Sequence, residues 1–384
     1  MNRWSGVSSP ARLGGFYFAY FAYLGAFTPY FSLYLDRLGL SALEISVVIA
    51  LPQMVKVFAP ALLGWLSDTR GARRPFILMS TLFTALSLAG LWFAQSFAPV
   101  CVVVLLMGIA SSGTLPLVEA TTMSTLGNHP ERYGPVRMWG SVGFILAVLA
   151  TGAALDRWVS QALLPIVVSL SMGAALVAWS LPESAVKKTV HDSVTEPARW
   201  FDARTIAFLG AAFCMTVAHG ALYAFYSLYL VQHGYSKTMV GWLWTIGVLG
   251  EIVLFFFLPQ VLRRWNLRTV LLAAFACAVL RFCLIGWCVE SLPVLVFAQL
   301  LHAATFGAYH AAAIAAVHRL FTAERQVRGQ ALFSSLSYGL GGAVGMLLAG
   351  AVWASMGPTF SFSLCAGFAL LGGVLVAWQV RFAA

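Results

Sequence analysis

Five charged side chains stand in long stretches that otherwise carry almost no charge: Lys56, Glu119, Arg137, Glu251 and Arg281. A guanidinium can grip a carboxylate through two parallel hydrogen bonds. A carboxyl group in a desolvated site can titrate near neutral pH, and histidine does so unaided. His302 and His310 lie in the same kind of stretch. These residue types can bind a small polar or anionic group and pass a proton. No G-x-S-x-G turn accompanies them, and no His or Cys spacing of the metal-binding kind occurs. No cofactor or metal is therefore expected.

Their spacing is paired. Glu119 and Arg137 are each nine residues from Asn128, and Glu251 and Arg281 are each fifteen from Asn266. If the chain turns at each asparagine between antiparallel helices, both members of a pair reach the same depth. Asn128 would cap the later helix of the first pair, with Pro130 in its first turn. A shift of 195 residues carries Lys56 onto Glu251. Opposite charges at equivalent spots would then face one cavity, and the extra cation argues for an anionic solute group, because a buried ammonium needs a counter-charge.

The elements that must hold these charges are helices in a membrane. Of 384 residues, 60% are hydrophobic and 9% charged, against about 25% charged in soluble proteins. The mean hydropathy is +0.86. A water-soluble enzyme, a nucleic-acid binder and a disordered chain are excluded. The net charge of +10 reads instead as basic loops retained on one side of a bilayer. Uncharged runs such as Pro75 to Val118 and Gly329 to Val380 divide at Gln95–Pro99 and Met356–Pro358. Spans of roughly 20 residues then give about twelve helices. With the N-terminus inside, 18 Lys and Arg fall inside, three outside (Arg37, Arg157, Lys237) and two within the membrane, out of 23. That bias puts both termini in the cytoplasm. The apolar segment from Leu13 reads as a first span and not a removed signal. The six cysteines lie in apolar stretches and read as small hydrophobes.

The chain is duplicated. Residues 31–41 read FSLYLDRLGLS and residues 226–236 read YSLYLVQHGYS; the same shift of 195 pairs Gly25 with Gly220. The expected fold is an all-α membrane protein of twelve transmembrane helices in two pseudo-symmetric six-helix bundles. The bundles would be residues 1–181 and 206–384, joined by a cytoplasmic linker at 182–205. Like-oriented repeats of this kind build one major transporter architecture.

The loop after the second span reads Gly64-Trp-Leu-Ser-Asp68-Thr-Arg-Gly71-Ala-Arg73-Arg74. Gly64 would admit a neighbouring helix, Gly71 a tight turn, and Asp68 would meet a helix N-terminus or an arginine. This loop resembles the signature G-x-x-x-D-x-x-G-R-[KR] of the major facilitator superfamily, with Ala72 in place of the first arginine. Pro116-Leu-Val-Glu119-Ala120 and Tyr133-Gly-Pro-Val-Arg137-Met-Trp-Gly140 resemble segments of the lactose-permease family, and Arg137-Met-Trp-Gly-Ser-Val-Gly resembles its phenylpropionate-permease-like relatives. The resemblance implies that Glu119 and Arg137 bind solute, and that Glu251, Arg281 and His302 belong to the solute and proton machinery. Two positions depart from it. Gln299 stands for a lysine, and Thr305 stands for the glutamate that carries the proton. Proton coupling then falls to Glu251 or Glu119, assisted by His302 and His310.

Helix 1 is rich in aromatics. Tyrosines at mid-depth facing lipid would leave hydroxyls unpaired, so Tyr23 and Tyr30 are expected to flank a cyclic solute. Gly339, Gly341, Gly342 and Gly345 suit close helix packing.

The reading is a secondary transporter of the cell (inner) membrane, a monomer in the lipid bilayer, working by alternating access with proton symport. Its partners are protons and a small molecule, here an aromatic or other organic acid. No nucleic acid is expected, nor nucleotide use, since no G-x-x-x-x-G-K-[ST] loop occurs. The alternatives are a sugar or nucleoside symporter, a proton-driven efflux carrier and, remotely, an intramembrane enzyme or a receptor.

Overall fold

The computed structural model describes residues 9–127, 129–158, 162–183, 202–322 and 325–380. Among them no strand occurs, and consecutive helical segments join into twelve rods. These are α1 (Ser9–Phe27, then Phe31–Arg37), α2 (Ala42–Val55, then Ala59–Arg70), α3 (Arg74–Gly90), α4 (Phe97–Leu126), α5 (Tyr133–Arg157) and α6 (Leu163–Ala178). Next come α7 (Ala203–Gln232), α8 (Lys237–Arg264), α9 (Leu267–Trp287), α10 (Leu292–Leu320), α11 (Arg328–Met356) and α12 (Pro358–Gln379). Eight rods, α4, α5 and α7–α12, are long and apolar enough to cross a membrane; α3, α6 and the first part of α2 are shorter apolar helices. Most of the linker expected at 182–205 lies outside the described residues, as does Asn128. Pro130 precedes α5, in a one-turn 3-10 segment at Pro130–Arg132.

The rods form two compact units. The first holds Met1–Leu40, Phe58–Val190 and Ser236–Gly241; the second holds Ser41–Val57, His191–Tyr235 and Trp242–Ala384. In the first, α1 packs along α5 and α6, and α3 lies against α4 and α6. Its core gathers Leu13, Phe16, Tyr17 and Tyr20 of α1 with Ile77, Leu117, Val118 and Val136. In the second, α12 packs on α7 and α9, while α11 packs on α7 and on the Ala42–Val55 half of α2.

The duplication has a packing cause. Gly25 lies where α1 crosses α5, and a Cβ there would meet the Phe144 carbonyl oxygen at 2.5 Å. Gly220, its counterpart, lies where α7 crosses α11, against the backbone of Gly345. Each glycine lets the first helix of a half touch its fifth at backbone distance. The repeated peptide ends each first helix with a left-handed glycine, Gly39 (φ 79°) and Gly234 (φ 82°). Such a residue closes a helix without a Cβ penalty.

The rods α2, α10 and α11 are irregular near their middles. In α2 the helix breaks between Val55 and Ala59. Pro60 has no N–H for the Lys56 carbonyl and its ring crowds that oxygen. In α10 residues Ala303–Ala308 are π-helical, and in α11 residues Ser335–Gly341 are as well. The break and the second π segment nest together in the second unit. The Ser335 hydroxyl donates to the Val57 carbonyl at 3.1 Å. A Cβ on Gly339 would strike Val57 at 2.7 Å.

Candidate functional site

Arg281 is the largest fully buried side chain, 1% exposed in the middle of α9. Its Nη1 donates to Thr305 Oγ1 at 3.0 Å and to His302 Nδ1 at 3.2 Å; its Nη2 donates to Gln299 Oε1 at 3.0 Å. All three acceptors sit on α10, at and just before the π segment, which supplies them within seven residues. An arginine can only donate, so His302 Nδ1 carries the lone pair and Nε2 carries the hydrogen. That Nε2 lies 3.8 Å from Glu251 Oε2 on α8. The order is therefore guanidinium, neutral imidazole, carboxylate. Among the described residues no carboxylate stands within ion-pair distance of Arg281 itself. The expected pairing of Glu251 with Arg281 is thus indirect: His302 stands between the two, its Nε2 beyond hydrogen-bond reach of the carboxylate.

The two departures from the family pattern, Gln299 and Thr305, are both partners of this arginine. Neutral oxygens replace charges around it. Sequence reasoning noted them as losses and missed that role. It also missed His219, at the joint between the two segments of α7. His219 donates from Nδ1 to the Met215 carbonyl at 2.8 Å and stands edge-on to Phe282, 5.1 Å away. Among the described residues its Nε2 is buried with no hydrogen-bond partner, and the same holds for Arg281 Nε, Gln299 Nε2, Tyr226 Oη and Thr245 Oγ1. Buried polar atoms without partners call for an explanation other than packing.

His310, two turns beyond His302, bonds through Nδ1 to the Tyr338 hydroxyl of α11 at 2.7 Å. Lys56 occupies the break in α2, and its side chain is exposed.

In the first unit Glu119 of α4 and Arg137 of α5 form no ion pair within 4 Å among the described residues. Tyr133 hydroxyl donates to Glu119 Oε1 at 3.5 Å. The Arg137 guanidinium lies 4.0 Å over the Phe21 ring and 5.4 Å from that of Tyr17. Gly140 makes room for this fold, since a Cβ there would meet Arg137 Nη1 at 2.7 Å and Phe21 at 2.9 Å. The contact is an attraction between a cation and the ring faces. Phe21 and Tyr133 were not singled out in the sequence; a position four residues before Arg137 on the same helix was the available signal.

Tyr23 and Tyr30 are corrected. Both are buried. The Tyr23 hydroxyl donates to Met107 Sδ at 3.7 Å, and that of Tyr30 to the Val148 carbonyl at 2.8 Å, with the Lys237 carbonyl at 3.1 Å. Their hydroxyls are satisfied by protein, so the argument that they need a cavity falls. A void of about 10 Å³ lies beside Tyr23, shared with Tyr20, Thr81 and Ser171, the size of one water at most.

In the basic loop Gly71 adopts φ 66°, the turn expected of it. Gly64 is corrected: a Cβ there would meet nothing within 4 Å, so no helix approaches it. The side chain of Asp68 lies outside the described residues. Arg73 donates from its backbone to Glu183 Oε1 at 3.0 Å and from Nη1 to Ser124 Oγ at 3.0 Å and the Ala120 carbonyl at 3.3 Å. Arg74 donates to the Trp179 carbonyl. The basic pair thereby ties the start of α3 to the ends of α4 and α6. Glu183, one of its partners, was not foreseen.

Comparison with known proteins supplies the family. The model of the MFS_1-like family matches residues 11–364. A probable 3-phenylpropionic acid transporter of Escherichia coli (strain K12) is 28% identical over 351 residues, covering 89% of this chain and 90% of the relative. The putative nucleoside transporter YegT of Escherichia coli (strain K12) is 23% identical over 401 residues, covering 97% and 92%. Among solved structures, the nucleoside transporter NupG superposes with a TM-score of 0.85 at 18% identity, covering 98% of this chain and 100% of that one. The POT family transporter PepTSo gives 0.75 at 13% identity, covering 98% of each. These structures share the fold, the all-α membrane architecture of the major facilitator type. With a matched model spanning nearly its whole length, the chain belongs to the MFS_1-like family: it is a multi-pass membrane transporter of small molecules and not an enzyme.

Proposed function

We propose that the chain carries a small organic acid across the cell (inner) membrane by proton symport. Two six-helix halves, residues 1–181 and 206–384, would work by alternating access as a monomer, with both termini cytoplasmic. The observation that carries this reading is Arg281: a full positive charge, buried in a spanning helix, held by three neutral acceptors. A buried cation of this kind calls for an anion. The relative named for 3-phenylpropionic acid, similar along nine-tenths of its length, supports a carboxylate carried on an aromatic body.

The proposed sequence begins with a proton on Glu251. Its negative charge is then lost, and Arg281 has no counter-charge one imidazole away. The solute carboxylate enters and takes that place. After release on the other side, Glu251 gives up its proton and His302 again stands between the resting pair. His302 orients the two groups. His310, tied to Tyr338, is a second proton-coupling candidate, and Glu119 a third. In the first unit Glu119 and Arg137 are further solute-binding candidates, and Lys56 in the exposed break of α2 would draw the anion in. In the loop, Asp68, Gly71, Arg73 and Arg74 would act at the inner gate.

The test is uptake of labelled 3-phenylpropionate into proteoliposomes with and without an imposed inward proton gradient. Accumulation with the gradient, lost in Glu251→Gln while exchange of internal for external solute persists, is the predicted result. Equal uptake in both conditions would reduce the protein to a facilitator. A second reading, a nucleoside carrier, is favoured by the relative named for nucleosides, and the same assay with labelled uridine distinguishes it.

A further inference from the structure

We propose that Phe306, with the rings of His302 and His310 on either side of it, is a stacking platform that selects solutes with a planar ring. The proposal rests on the reading above that the site at Arg281 takes an organic acid, and it adds what the rest of the solute must look like.

Four residues of α-helix advance roughly 40° beyond a full turn, so rings at positions 302, 306 and 310 of an ordinary helix would fan out. Here residues Ala303–Ala308 are π-helical. The wider turn of i→i+5 bonding needs more than four residues, so it lags where the α-helix overshoots. The two errors offset each other. His302 and Phe306 are inclined by only 17° with centroids 5.2 Å apart, and Phe306 and His310 by 10° at 6.2 Å. These separations place the rings in offset array, each leaving part of its face uncovered. Tyr338, from the second π segment, fixes the far end through its 2.7 Å bond to His310.

The platform is accessible and it adjoins the charged cluster. His302, Phe306 and His310 are each partly exposed, while Thr305, Gly307, Ala308 and Tyr309 among them are buried. Imidazoles at this depth are accommodated on a wet surface and not against hydrocarbon. The apolar residues Phe297 and Leu300, each 49% exposed, lie roughly 140–200° round the helix from His302, on the side suited to lipid. Next to the platform a Cβ on Gly307 would touch Glu251 Cγ at 3.2 Å, so α8 and α10 meet there. Arg281 Nη1 lies 3.2 Å from His302 Nδ1, and the His302 ring centroid lies 5.2 Å from that of Phe306, so a carboxylate at Arg281 would leave its ring within reach of Phe306.

The experiment is competition binding to the purified full chain in nanodiscs, using 3-phenylpropionate, 3-cyclohexylpropionate and the neutral 3-phenylpropanol with its cyclohexyl analogue. The wild type is expected to prefer the phenyl member of a pair by roughly three- to ten-fold, the range of an aromatic pair beyond its area. Phe306→Leu keeps an apolar side chain without a π face. It should abolish that preference while leaving cyclohexyl affinity within about two-fold, and Phe306→Tyr should retain it. Phe306→Met serves if the leucine variant does not fold. A phenyl preference that survives both Phe306→Leu and Phe306→Met, or no preference in the wild type for either pair, overturns the platform. Phe306-dependent preference confined to the alcohols supports the platform and removes the organic-acid reading.

Discussion

Thr305→Glu puts back, at this position, the carboxylate that the lactose-permease pattern has there. Thr305 Oγ1 accepts from Arg281 Nη1 at 3.0 Å, so a carboxylate on the same backbone reaches the guanidinium. The solute would then compete with a tethered counter-ion. A hydrogen bond to a charged group contributes about 1.5–3 kcal/mol, and each 1.4 kcal/mol is tenfold in affinity. Affinity for 3-phenylpropionate should therefore fall by roughly 10- to 150-fold at neutral pH. Thr305→Gln keeps an acceptor without the charge and should stay within about threefold. The assay is equilibrium binding of labelled acid to purified protein, with the thermal unfolding midpoint confirming that each variant is folded. Wild-type affinity in folded Thr305→Glu would refute the claim that the solute anion is received by Arg281.

Other consequences are open to test. Asp156, at the end of α5, accepts from the backbone N–H groups of Lys237 and Thr238 at 2.9 and 2.8 Å and from the Thr238 hydroxyl at 2.6 Å. Asp156→Ala uncaps α8 and should cost about 0.5–2 kcal/mol, seen as a lower unfolding midpoint, with Asp156→Asn in between. Gly220→Ala drives a methyl into the Gly345 backbone and should destabilise by about 1–3 kcal/mol. Gly64→Ala meets open space and should be neutral or stabilising by about 0.5–1 kcal/mol; equal behaviour of the two glycines would contradict the packing account. Lys56→Ala should slow capture of the anion more than it weakens final binding, read as a fall in association rate that salt abolishes in the wild type; unchanged rates would remove Lys56 from the path.

What could be read in the sequence followed from constraints that act locally. Charge-free runs announce spans because lipid tolerates few charges, and Gly25 and Gly220 announce a crossing because only glycine allows backbone contact. Glu251, His302 and Arg281 stood out for the same reason as the spans. The arrangement among them did not, because the order arginine, imidazole, carboxylate depends on the π turn in α10, which no residue pattern reveals. Tyr23 and Tyr30 were misjudged because a hydroxyl can be satisfied by a sulfur or carbonyl on another helix, 84 or 118 residues away. Gly64 was misjudged because a motif position says nothing about which neighbour is present. Gln299 and Thr305, read as missing charges, are the acceptors that let a buried arginine stay charged without an acid beside it.

The most direct test is the charge requirement at Arg281, measured by titrating wild-type protein and Arg281→Gln with 3-phenylpropionate and with its neutral amide. The account predicts that the wild type binds the acid far more tightly than the amide, and that Arg281→Gln loses this discrimination while remaining folded. Undiminished preference for the acid in Arg281→Gln would contradict it.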